Sequence, residues 1–219
     1  MHIIQWIFYP FGDSIVSQLI TLKDYIQRNM ASQGKIRIIG GKWRRRYVSF
    51  PSIEDLRPSP DAVRETLFNW LGQNLEGKSC LDLFAGSGAF GLEAASRGAS
   101  RVDMIELNRK AAASLSNTVE LLGGLEAVQC FNMDWKAFLE NSDQKYDIIF
   151  IDPPFRKPLI KSVCKTLINA DSLNEGAQVY IESPKSNFPL PIPSTWHIIR
   201  ESTRGMVKST LIQTTPQQS

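Results

Sequence analysis

Leu81-Asp82-Leu83-Phe84-Ala85-Gly86-Ser87-Gly88-Ala89-Phe90-Gly91 is the stretch that decides the fold of this chain. An apolar run, Cys80 to Phe84, breaks at the glycines, and a helix-forming segment, Gly88 to Arg97, follows: a strand, a tight turn and a helix start. In an open α/β sheet, ligands bind beyond the carboxyl ends of the strands, where such turns sit. Gly86, Gly88 and Gly91 spell the dinucleotide fingerprint, and Glu106 follows about 20 residues on, as a ribose-binding acid would. A nicotinamide enzyme is therefore one reading. Asp82 opposes it, because a carboxylate four residues before the first glycine points at the place a pyrophosphate would occupy. The same carboxylate attracts the ammonium and sulfonium of S-adenosylmethionine. On that reading Phe84, Ala85, Gly86, Ser87 and Gly88 admit the ligand, Glu106 and its neighbour Leu107 take the ribose side, and Asp134 with the backbone at Met133 takes the adenine. Taken singly, a glycine turn is a common strand-to-helix connection and each acid a common loop carboxylate. Three acids at three successive strand ends favour the cofactor.

Outward from this loop, apolar runs alternate with helical segments. The strands are expected at Cys80 to Phe84, Val102 to Glu106, Val128 to Asn132, Tyr146 to Asp152 and Val179 to Glu182. Helices are expected near Gly88 to Arg97, Arg109 to Leu122, Trp135 to Leu139 and Pro158 to Ala170. Strands separated by helices imply a parallel, doubly wound sheet. Trp196 to Glu201 and Lys208 to Thr214, separated by a turn at Gly205, read as a closing antiparallel hairpin. Ahead of the sheet, Ser59-Pro60-Asp61 reads as a helix start, with Ser59 as N-cap and Val63, Leu67, Phe68 and Leu71 on one face.

Asp152-Pro153-Pro154-Phe155 caps the fourth strand at the same edge of the sheet as the glycine loop. An exocyclic amine on a base is a poor nucleophile, because its lone pair is delocalised into the ring. A carboxylate at Asp152 with a backbone carbonyl at Pro153 can hold both amine hydrogens and orient the nitrogen for in-line attack on a methyl group. Pro153 and Pro154 stiffen the turn, and Phe155 offers a stacking face to a base withdrawn from its own stack. A strand-end Asp-Pro-Pro turn without chemistry is the plainer alternative.

The net charge of the 219 residues is only +3, so any claim on nucleic acid rests on where the charge lies. Lys35, Arg37, Lys42, Arg44, Arg45 and Arg46 fall between Gly34 and Arg46 with no acid among them. A run like this is usually a solvated face. Trp43 and Tyr47, interleaved with the arginines, shift the reading to RNA, since rings and guanidinium planes stack on bases. Lys35 to Ile39, a Gly40-Gly41 turn and Trp43 to Phe50 read as a basic hairpin arm.

Apolar residues make up 42% and charged residues 21% of the chain, which describes an ordinary packed core. Cys80, Cys130 and Cys164 show no Cys-x-x-Cys pairing and read as free thiols of a reducing cytoplasm. His2 and His197 have no ligand spacing, so no metal is expected. No apolar run approaches the roughly 18 residues of a membrane span, and no secretory signal pattern opens the chain. Glu182, at the end of the fifth strand, reads as a site-edge residue or a solvated strand terminus, and Trp135 and Trp196 as packing residues. Three parts are expected: an extension over 1–33, the basic arm over 34–56 and a catalytic domain over 57–219. Residues 1–29 read as an upstream extension or a misassigned start, with Met30 as the alternative.

These motifs resemble one family. Ile36-Arg37-Ile38-Ile39-Gly40-Gly41-Lys42-Trp43-Arg44, Leu56-Arg57-Pro58-Ser59, Val63-Arg64-Glu65-Thr66-Leu67-Phe68-Asn69-Trp70-Leu71, the Asp82 loop and Asp152-Pro153-Pro154-Phe155 are similar to the bacterial ribosomal RNA small subunit methyltransferase D family. The likeness runs from about Lys35 to the C-terminus. It implies a Rossmann-like class I S-adenosylmethionine-dependent methyltransferase fold, with a mostly parallel seven-stranded sheet, helices on both faces and an N-terminal basic hairpin. It also implies that the arm grips RNA, that Arg57, Ser59 and Arg64 help close the cofactor pocket, and that Asp152 is catalytic. The substrate implied is the N2 amine of one guanine in 16S rRNA (the guanine 966 type), in the small ribosomal subunit or its assembly intermediate. A monomer suits docking on such a particle. Arg45 stands where the family usually has glycine, Ser59 where threonine is common, and Lys208-Ser209-Thr210 lacks an aromatic often found there. The rivals are a DNA adenine-N6 or protein glutamine methyltransferase with the same Asp-Pro-Pro-Phe site, and a cofactor-binding RNA scaffold without turnover.

Overall fold

The computed structural model describes residues 33–53 and 58–215. The expected extension, save Gln33, and Arg57 lie outside them. Among the described residues, nine strands and five α-helices run in the order β1 (Gln33–Arg37), β2 (Tyr47–Pro51), α1 (Asp61–Leu71), β3 (Ser79–Asp82), α2 (Gly91–Ser96), β4 (Arg101–Ile105) and α3 (Arg109–Leu121). There follow β5 (Val128–Phe131), α4 (Trp135–Glu140), β6 (Tyr146–Ile151), α5 (Ile160–Asn169), β7 (Leu173–Pro184), β8 (His197–Arg204) and β9 (Val207–Gln213).

Seven strands form one sheet in the order β5-β4-β3-β6-β7-β9-β8, in which the pairs among β3 to β7 are parallel and β9 runs antiparallel to both β7 and β8. The chain steps from β3 outward to β4 and β5, then returns to the other side of β3 as β6. That reversal is a topological switch point, and it opens a crevice at the carboxyl ends of β3, β4 and β6.

Period-two alternation splits the core between the faces. Cys80, Ile148, Phe150 and Tyr180 join the cluster that holds Leu67 and Phe68 of α1, Leu92 of α2 and Leu115 of α3. Leu81, Ile149, Ile151 and Val179 join the cluster holding Phe138 of α4 and Val163 and Leu167 of α5. Both faces are covered, so these strands read as continuous apolar runs.

The paired strands β1 and β2 stand apart from the main sheet, in register Arg37 opposite Tyr47. Their inner side chains, Ile36, Ile38, Val48 and Phe50, join the first core cluster, and the hairpin lies along α3. Several boundaries differ from the sequence expectation. Trp43 to Arg46 form a turn rather than strand, because Lys42 N donates to Ser96 O at 2.6 Å and Trp43 N to Ser96 Oγ at 2.9 Å, pinning the hairpin tip to the end of α2. Helix α2 begins only at Gly91, because Gly88 stands at φ 78° and the loop turns there. Strand β7 is longer than expected, reaching back to Leu173 through Gly176 at φ 69°.

Candidate active site

Asp82 ends β3 with its side chain almost wholly buried. Its Oδ2 accepts from Gly91 N at 3.0 Å, so the carboxylate already holds the first amide of α2. A carboxylate bonded to that amide places negative charge at the helix start where a pyrophosphate would sit, which argues against the dinucleotide reading on local grounds. Gly91 must be glycine for a packing reason. A Cβ there would stand 2.5 Å from Met104 Sδ and 3.3 Å from Asp82 Oδ2. Burial pushes the Asp82 carboxyl up to about 7, against the opposing Gly91 and Phe84 amide bonds, with Glu106 adding to the rise.

Glu106 follows β4 and bridges the loop. Its Oε2 accepts from Gly86 N at 2.9 Å and its Oε1 from Asn108 N at 2.6 Å. Each oxygen keeps a lone pair for a further donor. Ala85 N donates to Ile105 O at 2.9 Å and Gly88 N to Ala85 O at 2.7 Å, which holds the loop against the end of β4. Ser87 is buried and Phe84 half-buried, its ring 6.2 Å from that of Trp135. Leu107 is exposed, and Met133 partly so. Asp134 caps α4, its Oδ1 accepting from Lys136 N at 2.9 Å and Ala137 N at 3.3 Å. One of its two oxygens therefore has a structural task the sequence reading did not foresee.

Asp152 follows directly on Ile151 at the end of β6. Pro153 is buried, while Pro154 and Phe155 face outward, with the Phe155 ring 43% exposed. The backbone closes the turn through Lys157 N to Pro154 O at 3.0 Å. Asp152 is not alone. The Ser59 hydroxyl lies 3.5 Å from Asp152 Oδ2 and 3.3 Å from Glu182 Oε2. Burial raises the Asp152 carboxyl well above the usual range, and the negative charges of Glu182 and Asp82 raise it further, while the Ser59 bond opposes the rise.

Two expectations are corrected here. Ser59 is no N-cap: α1 begins at Asp61 after Pro60 without a side-chain cap, and the Ser59 hydroxyl turns to the carboxylates instead. Arg64 does not face the crevice. Its guanidinium is 1% exposed and is spent on Ser59 O at 3.3 Å, Glu93 Oε2 at 3.2 Å, Arg37 O at 2.9 Å and Asp61 Oδ1 at 2.5 Å.

The basic residues separate by environment. Lys35, Lys42, Arg44, Arg45, Arg46 and the Tyr47 ring are exposed. Arg37 is half-exposed and paired with Asp61 at 3.0 Å. Trp43 is corrected from a base-stacking residue to a core residue: it is only 5% exposed and packs so closely on Gly124 that a Cβ there would meet its ring at 2.8 Å. Arg45 sits at φ 68°, the left-handed region that favours glycine.

Two residues carry more weight than their sequence signal announced. Glu182, read as site edge or solvated terminus, is 5% exposed and accepts from Tyr180 OH at 2.7 Å. Glu93, which had no signal, is wholly buried and accepts from Ile39 N, Gly40 N, Arg64 and Arg97. An acid inside the apolar helix Gly91–Ser96 was the available clue. Among the described residues no cluster of His, Cys, Asp or Glu could hold a metal ion, and no helix is long and apolar enough to cross a membrane.

The strand order, the glycine loop at the switch point and the acids at successive strand ends define a class I S-adenosylmethionine-dependent methyltransferase. The donor set fits that cofactor, because the buried Asp82 carboxylate stands at the glycine loop, where burial and the charge of Glu106 hold its carboxyl above the usual range. A cationic ligand relieves that repulsion. Comparison with known proteins agrees. The family described as conserved hypothetical protein 95 matches residues 36–213. Ribosomal RNA small subunit methyltransferase D of Escherichia coli strain K12 is 40% identical over 84% of this chain and 93% of its own. The protein of that name from Haemophilus influenzae is 37% identical over 83% of this chain and 95% of its own. A solved Escherichia coli structure, named as a candidate methyltransferase, superposes with a TM-score of 0.78 at 38% identity, covering 84% of this chain and all of that one. The chain belongs to the ribosomal RNA small subunit methyltransferase D family. At 20% identity and a TM-score of 0.62, the Thermus thermophilus 16S rRNA N2 G1207 methyltransferase, in complex with AdoMet and guanosine, shares the fold over 83% of this chain and 50% of its own.

Proposed function

We propose that this protein methylates the N2 amine of one guanine in 16S rRNA, of the guanine 966 type, within the small ribosomal subunit or its assembly intermediate. The observation that carries the reading is Asp152-Pro153-Pro154-Phe155 at the end of β6, beside the buried Asp82 that ends the neighbouring β3. Bound S-adenosylmethionine supplies an electrophilic methyl group on a sulfonium. Asp82 would hold its ammonium side, the Phe84 to Gly88 loop its methionine part, Glu106 and Leu107 its ribose, and Met133 with Asp134 its adenine. Asp152 and the Pro153 carbonyl orient the target amine, and Pro154 keeps that turn stiff. The exposed Phe155 ring stacks on the extruded base.

The arm, residues 34–56, acts as the RNA-binding appendage of the catalytic domain, residues 57–219. Lys35, Arg37, Lys42, Arg44, Arg45 and Arg46 supply phosphate contacts, and Tyr47 an aromatic one. The hairpin tip is anchored at Ser96, the end of α2, on the edge where the parallel strands begin, whereas Asp152 lies on the edge where they end. With strands of four to six residues rising about 3.3 Å each, those edges are about 13–20 Å apart. A contact pair so spaced favours a folded RNA over a short strand. It also separates this reading from a DNA or protein methyltransferase that has only the Asp-Pro-Pro-Phe turn. A ribosomal substrate places the enzyme in the cytoplasm, where a monomer can dock on the particle.

Transfer of labelled methyl to small subunits lacking the modification tests the reading. N2-methylguanosine at one 16S position is the expected product. Label in DNA or protein and none in RNA would replace it with the rival.

A further inference from the structure

Asp152 and the Pro153 carbonyl were expected to serve the amine, and the structure builds a second carboxylate into the same place. Glu182 ends the crevice side of β7, next to β6, and its side chain is almost wholly buried. Tyr180 OH lies 2.7 Å from Glu182 Oε1 and 3.0 Å from Ser209 Oγ on β9. On the other side, Ser59 Oγ stands between Glu182 Oε2 at 3.3 Å and Asp152 Oδ2 at 3.5 Å. Ser59 is fixed in turn, because the buried Arg64 guanidinium donates to its carbonyl at 3.3 Å. A hydroxyl has one proton, so it donates to one carboxylate while it can accept from the other. Asp152, partly buried, and the buried Ser59 and Glu182 therefore form a continuous path for a proton, made of groups on three separate segments of the chain.

We propose that Glu182 is a positioning residue for this methyl transfer, receiving through the Ser59 hydroxyl the proton that Asp152 removes from the target amine. The inference rests on the functional reading above and extends it. The balance is complete. The amine nitrogen forms a bond to the methyl carbon, the carbon–sulfur bond breaks, and its electron pair returns to sulfur, leaving a neutral thioether. The nitrogen becomes positively charged and releases one proton to Asp152. Asp152 passes a proton to Ser59 Oγ as Ser59 passes its own to Glu182. The amine ends neutral and secondary, and the pair later releases its proton to water.

The groups facing this pair are Asp82 from β3, Tyr180 from β7, Ser209 from β9 and Ser59 ahead of α1. Burial raises the Glu182 carboxyl, while the bonds from Tyr180 and Ser59 oppose that rise. The negative charge of Glu182 also raises the Asp152 carboxyl, which strengthens it as a base towards the amine proton. Long hydrogen bonds of 3.3 and 3.5 Å are of the kind that tighten when substrate closes a site.

The test is a single-turnover pH–rate profile with labelled S-adenosylmethionine and unmodified small subunits, for wild type, Glu182→Gln, Ser59→Ala and Ser59→Thr. Glu182→Gln removes the neighbouring charge, so Asp152 ionises at lower pH and the acid limb moves down. Its maximal rate falls about 10- to 100-fold, with S-adenosylmethionine affinity and melting temperature kept. Ser59→Ala shows the same loss and Ser59→Thr restores the rate. A Glu182→Gln profile superimposable on wild type overturns the inference. So does an equal loss at every pH together with lost cofactor binding, which would mark a structural role. Active wild type beside an unmoved Glu182→Gln profile overturns this inference alone, whereas wild type that labels no small-subunit RNA overturns the functional reading as well.

Discussion

Glu93 and Arg64 meet at 3.2 Å with both side chains almost wholly out of solvent. The Glu93 carboxylate also accepts from Arg97 and from the amides of Ile39 and Gly40, so one buried acid ties the hairpin, α1 and α2 together. Arg64 completes the tie by donating to Arg37 O at 2.9 Å. Removing the acid leaves two guanidinium groups and two amides without their partner. Glu93→Ala is expected to cost about 3–5 kcal/mol, read as a lower urea midpoint. The hairpin amides of Ile39 and Gly40 should lose hydrogen-exchange protection at the same time.

Asp82 makes the free enzyme pH-sensitive. Its carboxyl is raised from an ordinary 3.8 to about 7 by burial. Between those values the folded chain keeps a proton that the unfolded chain has lost, so this group's contribution to stability is full below about 4 and is lost as the pH climbs to about 7. A cationic ligand favours the ionised form. Binding of S-adenosylmethionine should release a fraction of a proton at about pH 6.5 and almost none at about pH 8.5, measured by titration calorimetry in buffers of different ionisation enthalpy. Asp82→Asn should abolish the release and weaken binding by about 1.5–3 kcal/mol.

Trp43 and its arginine neighbours should separate cleanly. Trp43→Ala empties a packed site and is expected to destabilise the fold by about 3–5 kcal/mol without changing the salt dependence of RNA binding. Arg44→Ala, Arg45→Ala and Arg46→Ala should leave the melting temperature within a few degrees, and each that contacts a phosphate should reduce the salt slope by about 1. Filter binding at several salt concentrations tells these outcomes apart.

The exposed Phe155 ring is available to a base. Phe155→Ala should weaken the catalytic complex by about 1–3 kcal/mol, seen in kcat/KM for the RNA, with S-adenosylmethionine affinity unchanged. Phe155→Tyr should keep most of the activity.

Much of this architecture was legible in the order of residues, and the reasons are local. Apolar runs between glycines and capping residues are fixed by near-neighbour physics, so strands β3 to β6 and the crevice at Asp82, Glu106 and Asp152 follow from pattern alone. What escaped depends on contacts across long sequence separations. The Trp43 ring reads like a stacking residue among arginines, and only its seat on Gly124 makes it core. Ser59 before a proline reads as a helix cap until Asp152 and Glu182, 93 and 123 residues away, claim its hydroxyl. Arg64 in a charged helix segment looks available, and burial with Glu93 takes it out of reach of a ligand.

On the proposed function, the carboxylate at the end of β6 orients an RNA amine for methyl transfer. Its most direct measurement is the single-turnover rate of labelled methyl transfer to unmodified small subunits by Asp152→Ala, alongside cofactor binding by the same variant. The expected rate is lower by about 100-fold or more, with S-adenosylmethionine still bound. A variant that binds the cofactor and methylates 16S rRNA at close to the wild-type rate would contradict it.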